Sequence, residues 1–228
     1  MVMRDKPRIG GCKFWPFLAL AIVLLAFPAF ARPAKSAGQA AQAAAAAPVA
    51  SPDTSKQENQ RPKGLGNFGE VAPGLYRGGQ PNREGYSELK KLGFTTVVTF
   101  RGERKLNAKE KQALESEGMH FVVIPWSAFH HPSDEQVAEF LQLVRTHSGQ
   151  KVYLHCVRGG DRTGVMVATY RIAIDKWQPQ QAVKEMEEYH FWHHMFPHLR
   201  AYVMNFPKLL GESPKLHAAL ISEASATQ

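Results

Sequence analysis

The chain has 228 residues, 44% of them apolar, enough for one globular domain plus an extension. Its formal charge of +8 suits an anionic ligand. No dense basic run is interleaved with aromatic residues, which argues against a nucleic-acid partner.

Arg4, Lys6, Arg8 and Lys13 stand against Asp5 ahead of or at the start of an apolar run, Phe14 to Phe30. That run ends in Ala29-Phe30-Ala31, a small-residue cleavage pattern, so residues 1–31 read as a secretory signal peptide. Pro16, Pro28 and the short length argue against a stable membrane span, which needs about 20 apolar residues. An uncleaved inner-membrane anchor is the alternative to a periplasmic product. Cleavage would remove Cys12 and leave Cys156 with no partner for a disulfide. A lone thiol in an oxidising compartment calls for a reason, and nucleophilic catalysis is one. Residues 32–61 are rich in Ala, Pro, Gln and Ser, without amphipathic period, and read as a flexible linker.

A domain is expected over residues 62–210. Phe68, Val71, Leu75 and Tyr76 predict two short strands around the Pro73-Gly74 turn. Asn82 predicts a helix cap, with the helix running to Lys91 and Gly93 as its terminator. Phe94 to Phe100 (FTTVVTF) is β-branched and almost continuously apolar, as a buried central strand is. Arg101, Arg104 and Lys105 follow it, where cations could rim a site beyond the strand ends or simply occupy a solvated turn. A helix is expected over 107–117 and a strand over 120–125. Ser133 and Gln136 form a capping box for a helix to about Thr146. Gln178/Pro179 opens a helix to Tyr189, and a last helix from about Leu199 is expected to stop near Pro207, followed by a polar tail over 211–228. The four histidines at 190, 193, 194 and 198 match no closed zinc spacing and read as packing or a substrate-facing wall, so no metal or cofactor is expected.

The most informative stretch is Lys151 to Tyr170, KVYLHCVRGGDRTGVMVATY: a buried strand, a glycine-bearing loop, then a helix. Such a loop aims several backbone N–H groups into one concavity, and the helix N-terminus adds partial positive charge, so the concavity suits phosphate. Gly159 and Gly160 permit backbone approaches that a side chain would forbid. Arg162, in the first helical turn, has a planar fork matched to two phosphate oxygens. Cys156 in that field is favoured as thiolate, the form that can attack phosphorus. The plainer alternative is a buried core cysteine with an incidental turn and a surface arginine after it. Against that stand His155, Cys156, Gly159, Arg162, Thr163 and Gly164 at fixed offsets in a strand-to-helix context.

The string HCVRGGDRTG resembles the signature loop of the cysteine-dependent protein-tyrosine and dual-specificity phosphatases. The likeness extends from about Asn67 to Pro207, and Leu75 to Pro81 resembles the opening of the bacterial, plant and fungal dual-specificity-like members. The resemblance implies an α/β fold: a single compact domain with a central, mostly parallel sheet flanked by helices. It implies Cys156 as nucleophile and Arg162 as phosphate clamp. His155 would orient the loop and Thr163 would assist departure of the thiolate. Val157, Arg158, Gly159, Gly160, Asp161 and Arg162 would bind phosphate. The expected partner is a phosphorylated protein or small phosphate ester, and the expected state a monomer.

One departure bears on mechanism. Relatives carry a general-acid aspartate in the loop before the Ser133-capped helix, where this chain has Phe129, His130 and His131. Asp134 is the first substitute, with helix-dipole stabilisation as its alternative role. Asp161 is the second, because the myotubularin-like branch is assigned an acid there, with structural pairing as its alternative role. His130 is the third. Two other readings of the whole chain stay open. One is a phosphate-binding pseudophosphatase that lacks its acid. The other is a rhodanese-like sulfurtransferase, disfavoured because those loops do not usually carry Arg-Thr-Gly in this register. The Gly160 position lacks the lysine of some lipid phosphatases, a modest argument against inositides.

Overall fold

The computed structural model describes residues 62–147 and 149–221. The expected signal peptide and linker, and residues 222–228 of the expected tail, lie outside them. Five strands form one sheet: β1 (Gly69–Ala72), β2 (Leu75–Gly78), β3 (Phe94–Thr99), β4 (His120–Val123) and β5 (Lys151–His155), in the order β1-β2-β5-β3-β4. The β1–β2 pair is an antiparallel hairpin through Pro73-Gly74, and every other pairing is parallel. The apolar β3 run and the Val152-Tyr153-Leu154 run thus sit side by side at the centre, matched Val97 to Tyr153 and Val98 to Leu154.

Alternation along these strands feeds two cores. Val98, Val152 and Leu154 face the larger one, shared with Phe140, Leu141, Val165, Val183 and Phe206. Val97 and Tyr153 face the smaller one, with Leu89, Phe94, Leu114 and Met119. Helices α1 (Arg83–Lys91) and α2 (Arg104–Ser116) supply Leu89 and Leu114 to the smaller core. Helices α3 (Asp134–Thr146), α4 (Asp161–Ala173), α5 (Pro179–Glu188) and α6 (Pro197–Glu212) supply the larger one. Most of α4 is buried, from Thr163 through Thr169, so it carries no polar stripe and is the helix around which α3, α5 and α6 pack.

The capping predictions match the structure. Asn82 accepts from Gly85 N at 2.9 Å, Ser133 and Gln136 close a reciprocal box, and Gly93 adopts φ 82°. Two boundaries differ. Helix α2 begins at Arg104 rather than 107, so Arg104 and Lys105 belong to its first turn. Helix α6 does not stop at Pro207 but continues to Glu212. Pro207 lies on its exposed side, while Tyr202, Val203 and Phe206 are buried and carry the helix past the break. Residues 211–221 are likewise not a frayed tail. A further helix, α7 (Pro214–Ile221), buries Leu216 and Ala219 and packs on α3. Arg145 Nη1 donates to Ala219 O at 2.6 Å across that contact. The period of Leu216, Ala219 and Leu220 is helical, but too short to stand out beside two prolines.

Candidate active site

The C-terminal edge of the parallel strands delivers the site. Strand β5 ends at His155, Cys156 follows, and the chain turns through Val157 to Gly160 into α4. Cys156 is 2% exposed, and Gly159 N–H donates to its Sγ at 3.3 Å. That turn requires Gly159, at φ 79°, because a Cβ there would lie 2.4 Å from the Gly78 carbonyl at the end of β2.

The loop is anchored from several sides. Gln80 N–H donates to Val157 O at 2.9 Å, and Asn67 Nδ2 donates to Arg158 O at 3.1 Å. Beneath it, Arg77 is fully buried: Nη2 donates to Gly159 O at 2.9 Å and its guanidinium stacks 3.9 Å from the Tyr189 ring. Desolvation pushes Arg77 down to about 10, against the pull of Glu185, Tyr189 and Cys156, so it remains cationic at neutral pH. A fixed positive charge therefore underlies the cysteine loop. Arg77 sits inside the quoted Leu75–Pro81 phrase, yet its role there was not legible, because a lone arginine on a short strand normally reads as solvent-facing.

His155 is fully buried, with Nδ1 3.0 Å from Cys156 O. Its Nε2 stands 3.1 Å from Glu110 Oε1, off the line of a hydrogen bond. Glu110, itself 3% exposed, accepts from Gln80 Nε2 at 2.6 Å, and Gln80 Oε1 accepts from Arg101 Nη1. Glu110 thus supports the histidine beside the cysteine. Sequence reading missed it because the surrounding KEKQALES pattern is that of an ordinary solvated helix. Thr163 is also buried, and its Oγ1 has no hydrogen-bond partner among the described residues.

A cavity of about 620 Å³ opens over the loop. The cysteine loop and the start of α4 line it with Cys156, Val157, Arg158, Asp161 and Arg162, and the segment after β4 with Trp126, Ser127, Ala128 and Phe129. Arg162 Nη1 donates to Phe100 O at 3.3 Å and Trp126 O at 3.4 Å, which fixes the guanidinium of this cavity-lining residue. Trp192 and Phe196 complete an aromatic wall. The Arg158 guanidinium lies 3.4 Å over the Trp192 ring, and the Phe129 and Phe196 rings meet edge-on at 5.9 Å. Aromatic walls above a cationic floor suit a phosphate ester with a flat apolar remainder.

The three acid candidates fall in different places. Asp134 lies in a separate groove with Glu135, Leu209, Glu212 and Lys215, and does not line the cavity over Cys156. It opens α3 beside Glu135, as a helix-dipole partner does. Asp161 does line the cavity, but both its oxygens are engaged: Oδ2 accepts from Arg158 Nη2 at 2.6 Å and Oδ1 from Trp192 N–H at 2.9 Å. His130 is exposed and outside the cavity lining. Of the expected cation rim, Arg101 is 7% exposed and turned to Gln80 and Glu103, and Arg104 and Lys105 do not line the cavity. Glu103 does, although no local spacing or motif marks it out. His198 Nε2 lies 2.9 Å from Ala128 O, His131 stacks on Tyr202 at 5.2 Å, and no group of three or more His, Cys, Asp or Glu among the described residues could hold a metal.

Comparison with known proteins agrees with this arrangement. The family model described as DSP-PTPase phosphatase fused to NAD+ kinase matches residues 47–197. The dual specificity protein phosphatase TpbA of Pseudomonas aeruginosa is 30% identical over 121 residues, 53% of this chain and 53% of its own length. The match therefore spans about half of that relative. TpbA crystallised with phosphotyrosine superposes with a TM-score of 0.55 at 24% identity, over 69% of this chain and 91% of that one. Kinase-associated phosphatase superposes at 0.57 with 15% identity, over 68% and 99%, which shows a shared fold. With a thiol at the floor of a cationic loop, and a family match across most of the domain, the chain belongs to the cysteine-dependent dual-specificity and protein-tyrosine phosphatase family.

Proposed function

We propose that this protein is a phosphomonoester hydrolase of the protein-tyrosine and dual-specificity type, working through a phosphocysteine intermediate. The observation that carries the reading is the placement of Cys156 Sγ under the Gly159 N–H, in a cavity that Arg162 also lines. Cys156 attacks phosphorus in line while Arg162 and the loop amides hold the equatorial oxygens. His155, supported by Glu110, fixes the Cys156 carbonyl, and the unpartnered Thr163 hydroxyl is available to the thiolate as it departs. Buried Arg77 holds the loop shape and adds positive charge from below.

The aromatic wall of Trp126, Phe129, Trp192 and Phe196 favours aryl phosphates, in keeping with the phosphotyrosine bound to TpbA. Residues 1–31 support export to the periplasm, and no helix among the described residues is long and apolar enough to cross a membrane. The protein acts as a monomer. Replacing Cys156 with Ser is expected to abolish turnover of p-nitrophenyl phosphate with the fold intact by circular dichroism. Wild-type turnover in that variant would sink the mechanism.

One observation favours a second reading. The segment Trp126–His131 brings no carboxylate to the cavity, as a phosphate-binding pseudophosphatase would have it. A stoichiometric burst of nitrophenolate without steady-state turnover would identify that behaviour in the wild-type protein.

A further inference from the structure

Two carboxylates line the cavity over Cys156, Asp161 and Glu103. Asp161 is 7% exposed and spends both oxygens within the protein, one on Arg158 and one on the Trp192 N–H. Glu103 is differently placed. It is the N-cap residue of α2, where a side chain ordinarily turns back onto the helix N–H groups, yet its carboxylate makes no capping hydrogen bond. It reaches the cavity instead, with its side chain 48% exposed. Oε2 accepts from Arg101 Nε at 3.3 Å, and the carboxylate also accepts from its own backbone N–H. Arg101 in turn is held by Gln80, so the carboxylate is positioned at the start of α2 while its side chain stays half exposed beside the cavity.

We infer that Glu103, from the junction of β3 and α2, is the catalytic acid and base of the reaction, standing in for the aspartate absent from residues 129–131. The inference rests on the phosphatase reading above. In the first step the Cys156 sulfur–phosphorus bond forms as the ester P–O bond breaks, and the Glu103 proton passes to the leaving oxygen. In the second step the Glu103 carboxylate takes a proton from water as the water oxygen attacks phosphorus and forms the new P–O bond. The S–P bond then breaks, releasing inorganic phosphate and the Cys156 thiolate, and Glu103 carries its proton again.

The charges around Glu103 set the pH dependence. Burial raises its carboxyl, but its own backbone hydrogen bond, Arg101 and Arg162 outweigh burial and hold it below the ordinary carboxylate range. Cys156, Arg158 and Asp161 are the other titratable or charged groups lining the cavity. Free Glu103 is therefore ionised at neutral pH, ready as a base, and needs a proton for the first step. After correction for substrate ionisation, kcat/KM should fall as pH rises past the Glu103 titration.

The test is Glu103→Gln in the full-length protein, with phenyl phosphate and p-nitrophenyl phosphate compared. Loss of a general acid hurts a poor leaving group most. Phenyl phosphate turnover should fall about 10²-fold or more, and p-nitrophenyl phosphate should fall less and show a burst. The pH limb assigned to Glu103 should vanish in Glu103→Gln and return in Glu103→Asp, which keeps a carboxylate. Asp161→Asn should leave the contrast between the two substrates as in wild type. Equal losses on both substrates with the pH limb retained, or wild-type kinetics in Glu103→Gln, would overturn the assignment. If Cys156→Ser is inactive while Glu103→Gln behaves as wild type, only the Glu103 role fails. If Cys156→Ser is fully active, the phosphatase mechanism itself fails.

Discussion

The two walls of the cavity are built differently. The cysteine loop is tied down from every side, by Arg77 below, Asn67 and Gln80 at its flank, and Trp192 through Asp161. The facing segment, Trp126 to His131, is held chiefly at its base. There the Trp126 carbonyl accepts from Arg162 and the Ala128 carbonyl lies against His198, while Phe129 stands 74% exposed. Chemistry that needs atoms fixed to within a fraction of an ångström belongs on the anchored wall. The facing segment supplies apolar surface, and the proposed proton donor, Glu103, comes from a third place, the N-cap of α2.

Substitutions in the two walls should therefore differ in size of effect. The largest expected effect is at the floor. Arg162→Lys keeps the charge but loses the fork held by the Phe100 and Trp126 carbonyls. It should cut kcat by about 10²–10³-fold on aryl phosphates, the loss typical of a removed oxyanion donor. A loss of less than tenfold would mean that the planar fork is not used.

Next comes the anchor under the loop. Arg77→Met keeps most of the volume but leaves the buried Gly159 carbonyl without its donor. Urea denaturation should show a loss of about 1–3 kcal/mol, the usual penalty for an unpaired buried polar group. Inhibition by inorganic phosphate should weaken as well, because a positive charge beneath the loop is gone. Unchanged stability together with unchanged phosphate inhibition would show that the loop holds its shape without Arg77.

The smallest effect is expected on the open wall. Phe129→Ala removes an exposed ring whose aromatic contact is Phe196, so stability should stay within about 0.5 kcal/mol. Selectivity for phenyl over alkyl phosphates should drop. A stability loss as large as that of Arg77→Met would show that both walls are equally structural.

What the sequence could reveal follows the same division. The loop was legible because a short contiguous string holds the cysteine, the glycines and the arginine, and local geometry alone dictates their relation. The central strands were legible because FTTVVTF and VYL are apolar runs too short for helices. Asp134 lies away from the cavity over Cys156 for a physical reason: the Ser133 capping box starts α3 at that residue, beside Glu135 in the groove lined by Leu209 and Lys215. Arg77, Glu110 and Glu103 were illegible because each acts across long stretches of chain, on Gly159, His155 and the cavity respectively. No local period or spacing marks such partners. The continuation of α6 through Pro207 was hidden likewise, since burial of Val203 and Phe206 against the rest of the domain outweighs the local cost of proline.

The phosphocysteine intermediate can be trapped by quenching the full-length protein in alkaline denaturant during turnover of p-nitrophenyl phosphate and mapping the phosphate by peptide mass spectrometry. Phosphate should be found on Cys156, and no phosphorylated peptide should be recovered from Cys156→Ser treated in the same way. Steady turnover with the phosphate on another residue, or at the wild-type rate in Cys156→Ser, would contradict the account.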